Sequence, residues 1–173
     1  MKVRRNFAIA PAYTRLMTKL TLRLLGEPRV STPGTPDLRL PTKKSQALLI
    51  YLASPPGVPR SRDQLAGLLW GRSAQEQART SLRQNLARLR KSLGNAKDAI
   101  RADAQHIELD PECVETDTAK FEGLISASNG SGLADAADLI SGEFARGLNI
   151  NEDLFDEWIT NERRRVSELA VSA

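Results

Sequence analysis

Between residues 74 and 94, leucines fall at Leu82, Leu86, Leu89 and Leu93, in steps of four, three and four. That spacing predicts an amphipathic helix with a single buried stripe. Ser73 with Glu76 predicts a capping box at its start, and Gly94-Asn95 a left-handed C-cap at its end. Upstream, Leu20, Leu22 and Leu24 alternate with Thr21 and Arg23, the period of a strand. Arg29-Val30 is its expected antiparallel partner and Asp37–Leu40 a third short strand. Thr42 is placed to cap a helix over 43–54, with Leu48, Leu49 and Leu52 inward and Pro55-Pro56-Gly57 as its stop. A second capping box, Ser61 with Gln64, opens a short helix through Leu65, Leu68, Leu69 and Trp70. Three helices, the middle one short and joined to the last by a brief turn, predict a helix-turn-helix. Ile107 and Leu109 alternate with His106 and Glu108, so a hairpin turning at 102–105 is expected next. It has the position of a wing, with Arg101 near its tip.

The pattern then changes. Asp117 is expected to cap a helix carrying Phe121, Leu124 and Ile125; residues 126–132 form a loop of small residues, and 133–141 a second helix. Asn151 or Glu152 opens a third, to about residue 170, with Leu154, Phe155, Trp158, Ile159, Val166 and Leu169 mostly at helical spacing. These helices suit a helical array, although no internal repeat of fixed period is present. The predicted class is mainly α with small β-sheets. The expected division is a basic flexible lead-in at 1–19, a winged helix at 20–115 and the start of a helical domain at 116–173.

Charge sharpens that division. Residues 1–97 hold 19 Lys and Arg against 4 Asp and Glu, a balance of +15, whereas residues 98–173 carry 6 against 17, a balance of −11. A basic first part facing a polyanion, and a second part with another task, follow from such asymmetry. No apolar run approaches the ~18 residues of a membrane span. The single cysteine, Cys113, excludes an internal disulfide and fits a reducing cytoplasm. No phosphate-binding loop, nucleophile elbow or metal motif occurs, so the chain is read as a non-enzyme with neither cofactor nor metal.

Opposite the leucine stripe lie Thr80, Gln84, Arg88 and Lys91, with Ser81 and Arg83 on the flanks. No acidic residue follows Glu76 until Asp98. A solvated face usually mixes both signs; a one-signed face with amides among the cations suits a major groove, where guanine and adenine edges accept and donate. A basic surface helix serving solubility is the competing reading, and the neighbouring elements favour the groove. Arg79 and Arg90 lie nearer the stripe and are expected to pack their stems. Trp70 and Trp158 are expected in the core, His106 on a strand surface, and Cys113 as an inert thiol. The carboxylates at 152–157 complement a helix dipole.

Leu24-Leu25-Gly26, Lys44-x-x-Ala47-Leu48-Leu49, Arg62-x-x-Leu65-Ala66-x-x-Leu69-Trp70, Ala78-Arg79-x-x-Leu82 and Leu89-Arg90-Lys91-x-Leu93 together resemble the SARP-type activators of actinomycetes. Asp117-x-x-x-Phe121-Glu122, Gly142-Glu143-Phe144, Phe155-x-x-Trp158 and Glu162-Arg163 resemble the bacterial transcriptional activation domain that follows in that family. The match runs over about residues 20–170. It implies an OmpR/PhoB-like winged helix followed by tetratricopeptide-like helices, a promoter of direct repeats, head-to-tail pairing on double-stranded DNA, and RNA polymerase as a candidate partner. Carried onto this chain, the family's DNA-contacting positions are Thr80, Ser81, Arg83, Gln84 and Arg88. Arg83 or Arg88 is expected to read guanine and Gln84 adenine, while Lys91 and Arg62 touch phosphates. Lys43 and Lys44 are further candidate phosphate contacts, and Arg101 is a candidate for the minor groove or a plain surface arginine. The same module heads larger proteins, some with cyclase or ATPase parts. A second reading is therefore an interaction module whose basic face docks on an acidic protein or on its own acidic half.

Overall fold

The computed structural model describes residues 19–127 and 132–172; the expected lead-in, apart from Lys19, and the centre of the 126–132 loop lie outside them. The chain begins with strands β1 (Leu20–Arg23) and β2 (Arg29–Ser31), then helix α1 (Lys43–Leu52). Strand β3 (Arg60–Ser61) leads into α2 (Arg62–Trp70) and α3 (Gln75–Leu93). A 3-10 turn at Gly94–Ala99 passes to β4 (Ile100–Ala102), β5 (His106–Leu109) and β6 (Val114–Thr116). Helices α4 (Asp117–Ala127), α5 (Leu133–Leu139) and α6 (Asp153–Ser172) complete the described chain. The fold is mainly helical with small sheets, as expected from the sequence.

Strand β1 pairs antiparallel with β2, Leu22 facing Val30, and its other edge pairs parallel with β6, Leu20 facing Val114. The expected third strand at 37–40 does not form. Its one ladder-like bond is Leu38 N–H to Val30 O at 2.8 Å, and the free edge of β1 is taken by β6. Pro36 and Pro41, which lack amide donors, bound the segment. The second sheet runs β3-β5-β4, with Ile107 between Arg60 and Ala102. Its β4–β5 hairpin is the expected wing.

Local capping explains the helix starts, with corrections. Thr42 accepts from Ser45 N–H at 3.0 Å and Ser61 from Gln64 N–H at 3.1 Å, as expected. The Gln64 amide, however, donates to Tyr51 Oη instead of returning to Ser61. Ser73 does not cap α3. Its N–H already donates to Trp70 O and the Glu76 carboxylate is held by Arg79, so the return half of the box cannot close; the helix starts one residue later, after Ala74, with no side-chain cap. Gly94 has a positive φ, 55°, but its ψ of −118° is not left-handed helical, so the expected left-handed C-cap gives way to a 3-10 turn that starts there. Thr116, not Asp117, supplies the capping hydroxyl for α4, accepting from Ala119 N–H. The Asp117 carboxylate reaches back to the Leu24 and Leu25 amides at 2.8–3.0 Å; its burial outweighs those bonds and pushes its pKa up.

A single core joins both expected parts. Leu20, Leu22, Leu48, Leu52, Leu65, Leu82, Leu89, Ile107, Phe121, Phe144, Phe155 and Ile159 are all buried in one cluster. Residues 141–146 cross the end of β1: Ser141 N–H donates to Leu25 O, Ala145 N–H to Leu24 O and Arg146 N–H to Gly26 O. Gly26, at φ 142°, permits that approach, since a Cβ there would lie 2.2 Å from Ser141 Oγ. A Gly26→Ala change is expected to destabilise the chain by about 1–3 kcal/mol, read as a lower urea midpoint. Helix α6 packs on α1 and α2, the Trp158 ring meeting Tyr51 edge-on at 4.8 Å. Lys44–Glu152 at 2.7 Å and Arg72–Asp153 at 2.8 Å tie its start to α1 and to the turn after α2.

Candidate nucleic-acid interface

Helix α3 buries Ala78, Leu82, Asn85, Leu86, Leu89 and Leu93 and turns Thr80, Arg83, Gln84, Arg88 and Lys91 outward. Ser81 is half-buried on the ridge's flank. The distribution follows from the leucine stripe: with that side committed to the core, the cationic side has only solvent to face. Among the described residues none of the side chains of Thr80, Arg83, Gln84, Arg88 and Lys91 has a hydrogen-bond or ion-pair partner. The helix's other arginines are committed. Arg79 grips Asp63 of α2 through two bonds, at 2.8 and 3.0 Å, and also meets Glu76. Arg90 donates to Ile100 O at 2.7 Å, pinning the base of the wing. The Arg79 guanidinium holds the Asp63 carboxyl below its ordinary range. Stability from that pair is therefore present above the usual aspartate range and lost as pH falls below it, through the lowered pKa; both groups are exposed, so the contribution is small.

Two clefts flank the ridge. The first, of about 550 Å³, lies between α3, the start of α2 and the wing, and is lined by Arg62, Arg79, Arg83, Gln105 and His106 among others. Arg62 is anchored there by donating to Asp103 O at 2.9 Å, while its own N–H donates to Gln105 O. The wing turn is fixed by the Asp103 carboxylate, which accepts from the Gln105 and His106 amides at 2.7 Å; these bonds lower its pKa. The second cleft, of about 460 Å³, lies between α3 and the start of α1. Thr42, Lys43, Ser81, Gln84, Asn85 and Arg88 line it, with Asn149–Asn151 closing its far side.

The expected site residues thus separate. Thr80, Ser81, Arg83, Gln84, Arg88 and Lys91 share the ridge, and Lys43 stands exposed beside it. Lys44 is not free to meet a phosphate: its ammonium pairs with buried Glu152 and sits 5.1 Å above the Trp70 ring. Trp70 is accordingly a packed ring at the cleft margin. Arg101 does not stand at the wing tip. It lies mid-strand opposite Glu108, its guanidinium bound to buried Asp110, because the tip falls at Asp103–Gln105. His106 is exposed on its strand and Cys113 is buried, its thiol donating to Asp110, as expected of an inert cysteine. Sequence reasoning missed Thr42, Asn85, Gln105, Asn149 and Asn151 at the clefts; Thr42 and Asn151 as cap candidates and Gln105 in the hairpin turn carried local structural signals, none of which pointed to a ligand.

A helix-turn-helix whose last helix presents an unpartnered polar ridge beside a β-hairpin defines the winged-helix class of DNA-binding modules. Residues 37–106 match the family model described as "Transcriptional regulatory protein, C terminal", which covers the segment from the loop before α1 to the wing. Among solved structures the chain is similar to Mycobacterium tuberculosis EmbR in complex with a low affinity phosphopeptide, at a TM-score of 0.70 and 23% identity. That superposition covers 89% of this chain and 43% of that one, so the chain spans less than half the length of EmbR. Both findings agree with the winged-helix fold expected from the sequence. No curated protein sequence matches the chain. Among the described residues no helix is long and apolar enough to cross a membrane.

Proposed function

We propose that the chain binds double-stranded DNA sequence-specifically and regulates transcription, α3 reading the major groove and the wing lying along the adjacent backbone. The observation that carries this reading is the ridge itself: the side chains of Thr80, Arg83, Gln84, Arg88 and Lys91 stand exposed on one helix face, without a partner among the described residues. Arg83 and Arg88 have the paired donors that guanine O6 and N7 accept, and Gln84 has the donor and acceptor that adenine requires. Lys43 and Lys91 provide point charges for phosphates, which fix register without reading sequence. Arg62, held at the wing turn, adds a third. Activation through RNA polymerase, binding of direct repeats with head-to-tail pairing, action in the cytoplasm and the division at about residue 115 extend the proposal from the SARP-type resemblance.

Of the two forms of the rival reading, docking on an acidic partner protein or on the chain's own acidic half, the second is disfavoured by where the ion pairs fall. The carboxylates of Glu152 and Asp153 bind Lys44 and Arg72, and among the described residues no carboxylate pairs with Arg83, Arg88 or Lys91. Titration of the chain by fluorescence anisotropy against promoter duplexes and random competitor, at two salt concentrations, tests the proposal. Binding that survives competitor and weakens steeply with salt is expected. Lys91→Ala should weaken binding to every duplex alike and reduce the slope of log K against log salt by about one. Affinity for promoter duplexes equal to that for random sequence would remove the claim of sequence reading.

A further inference from the structure

An α-helix with its side chains is about 10–12 Å across, close to the ~12 Å width of the major groove. A groove filled by α3 therefore brings one phosphate backbone along each flank of the ridge. The flank beside the wing belongs to the helix-turn-helix and its hairpin. The opposite flank does not: its far wall is Asn149–Asn151, from the segment that follows the winged helix.

Four features of that second cleft point the same way. Lys43 and Arg88 stand in it without a carboxylate partner, and the charge of neighbouring Lys44 is already balanced by Glu152. Asn149 folds the loop by accepting from Asn151 N–H through Oδ1 at 2.8 Å, and among the described residues its side-chain N–H groups have no partner. Asn151, at φ 56°, carries a second exposed amide with no partner among them. On the cleft wall Asn85 is 7% exposed and donates to Thr42 Oγ1, while its Oδ1 has no donor. A water donating one hydrogen to that oxygen and the other to a phosphate would satisfy it. Cations, free amide donors and a buried acceptor suited to a bridging water fit a phosphodiester.

The geometry points to a DNA phosphodiester seated between the start of α1, Arg88 and the 149–151 loop, so that the acidic C-terminal part itself contributes a backbone contact. This rests on the DNA-binding reading above. The contact adds affinity without sequence preference, and it fixes the C-terminal helices relative to the duplex.

Two substitutions separate contact from loop structure. Asn149→Asp keeps the oxygen that accepts from Asn151 N–H but replaces the donor facing the cleft by a negative charge. Asn151→Gly keeps the left-handed backbone, removes the amide and changes no charge. Each is expected to weaken binding by about tenfold, equally on selected and random duplexes. Phosphate-ethylation interference on the selected duplex is expected to show one phosphate that blocks wild type and no longer matters to Asn151→Gly. Wild-type affinity in both variants, with Arg83→Ala/Arg88→Ala still impaired, would overturn the loop contact and leave the DNA-binding reading intact. If wild type itself binds no duplex, both fall together.

Discussion

Replacing Arg83 and Arg88 together by alanine is expected to weaken binding to a selected duplex on the order of 10²–10⁴-fold, each lost bidentate guanine contact contributing roughly 1–3 kcal/mol. Binding to random duplex should fall much less, by the two lost charges alone. The specificity ratio, not only the affinity, should therefore collapse. The fold should not suffer. Both side chains are exposed and unpartnered, and alanine is the better helix former, so the thermal midpoint is expected to stay close to that of wild type. Arg79→Ala makes the contrast. It breaks the bonds to Asp63 that hold α3 to α2, so it is expected to lower the midpoint slightly while sparing the specificity ratio. Anisotropy titrations on selected and random duplexes, together with thermal melts, check all three statements.

The second large effect concerns the join between the two halves. Phe155→Ala removes a fully buried ring that lies 5.3 Å from Trp158, which in turn packs edge-on against Tyr51 of α1. Truncating a buried phenylalanine costs about 3–5 kcal/mol, a large share of the ~5–15 kcal/mol that holds a typical domain together. Because α6 shares its core with α1 and α2, the loss is expected to lower one cooperative transition of the whole chain in urea. Melting of α4–α6 alone, with an unshifted second transition from the winged helix, would show two independent units instead.

The two effects mark what local sequence reveals. The α3 stripe was legible because Leu82, Leu86, Leu89 and Leu93 repeat at the helical period, and a committed inner face dictates the outer one. The wing was legible from strict alternation around His106–Leu109. The third strand was misplaced because its true occupant, Val114–Thr116, is only three residues long and joins β1 from far along the chain. Short non-local pairings leave no periodic trace. Capping motifs misled wherever their partners were already engaged: Ser73 matches a box, but its amide serves Trp70 and Glu76 serves Arg79.

The same limit governs the site. Charge patterning along one helix separated the ridge from the core, and it marked Arg79 and Arg90 for the inner margin. It could not separate Lys43 from Lys44. Adjacent in sequence, one faces solvent and the other is claimed by Glu152, more than a hundred residues away. Arg101 was misjudged in the same way, since Asp110 holds it along the strand. Asn149 and Asn151 carry no charge and no motif, and only the packing of the C-terminal segment against α1 brings them beside Arg88.

The most direct test of the groove-reading ridge is guanine N7 methylation interference on a duplex selected from a randomised pool by the wild-type chain. Methylation fills the major-groove edge that an arginine fork must reach. Methylation of one or two guanines is expected to abolish wild-type binding, and Arg88→Ala or Arg83→Ala should each become indifferent at one of them. Wild-type binding unaffected by methylation at every guanine of a guanine-containing selected site would contradict major-groove reading by Arg83 and Arg88.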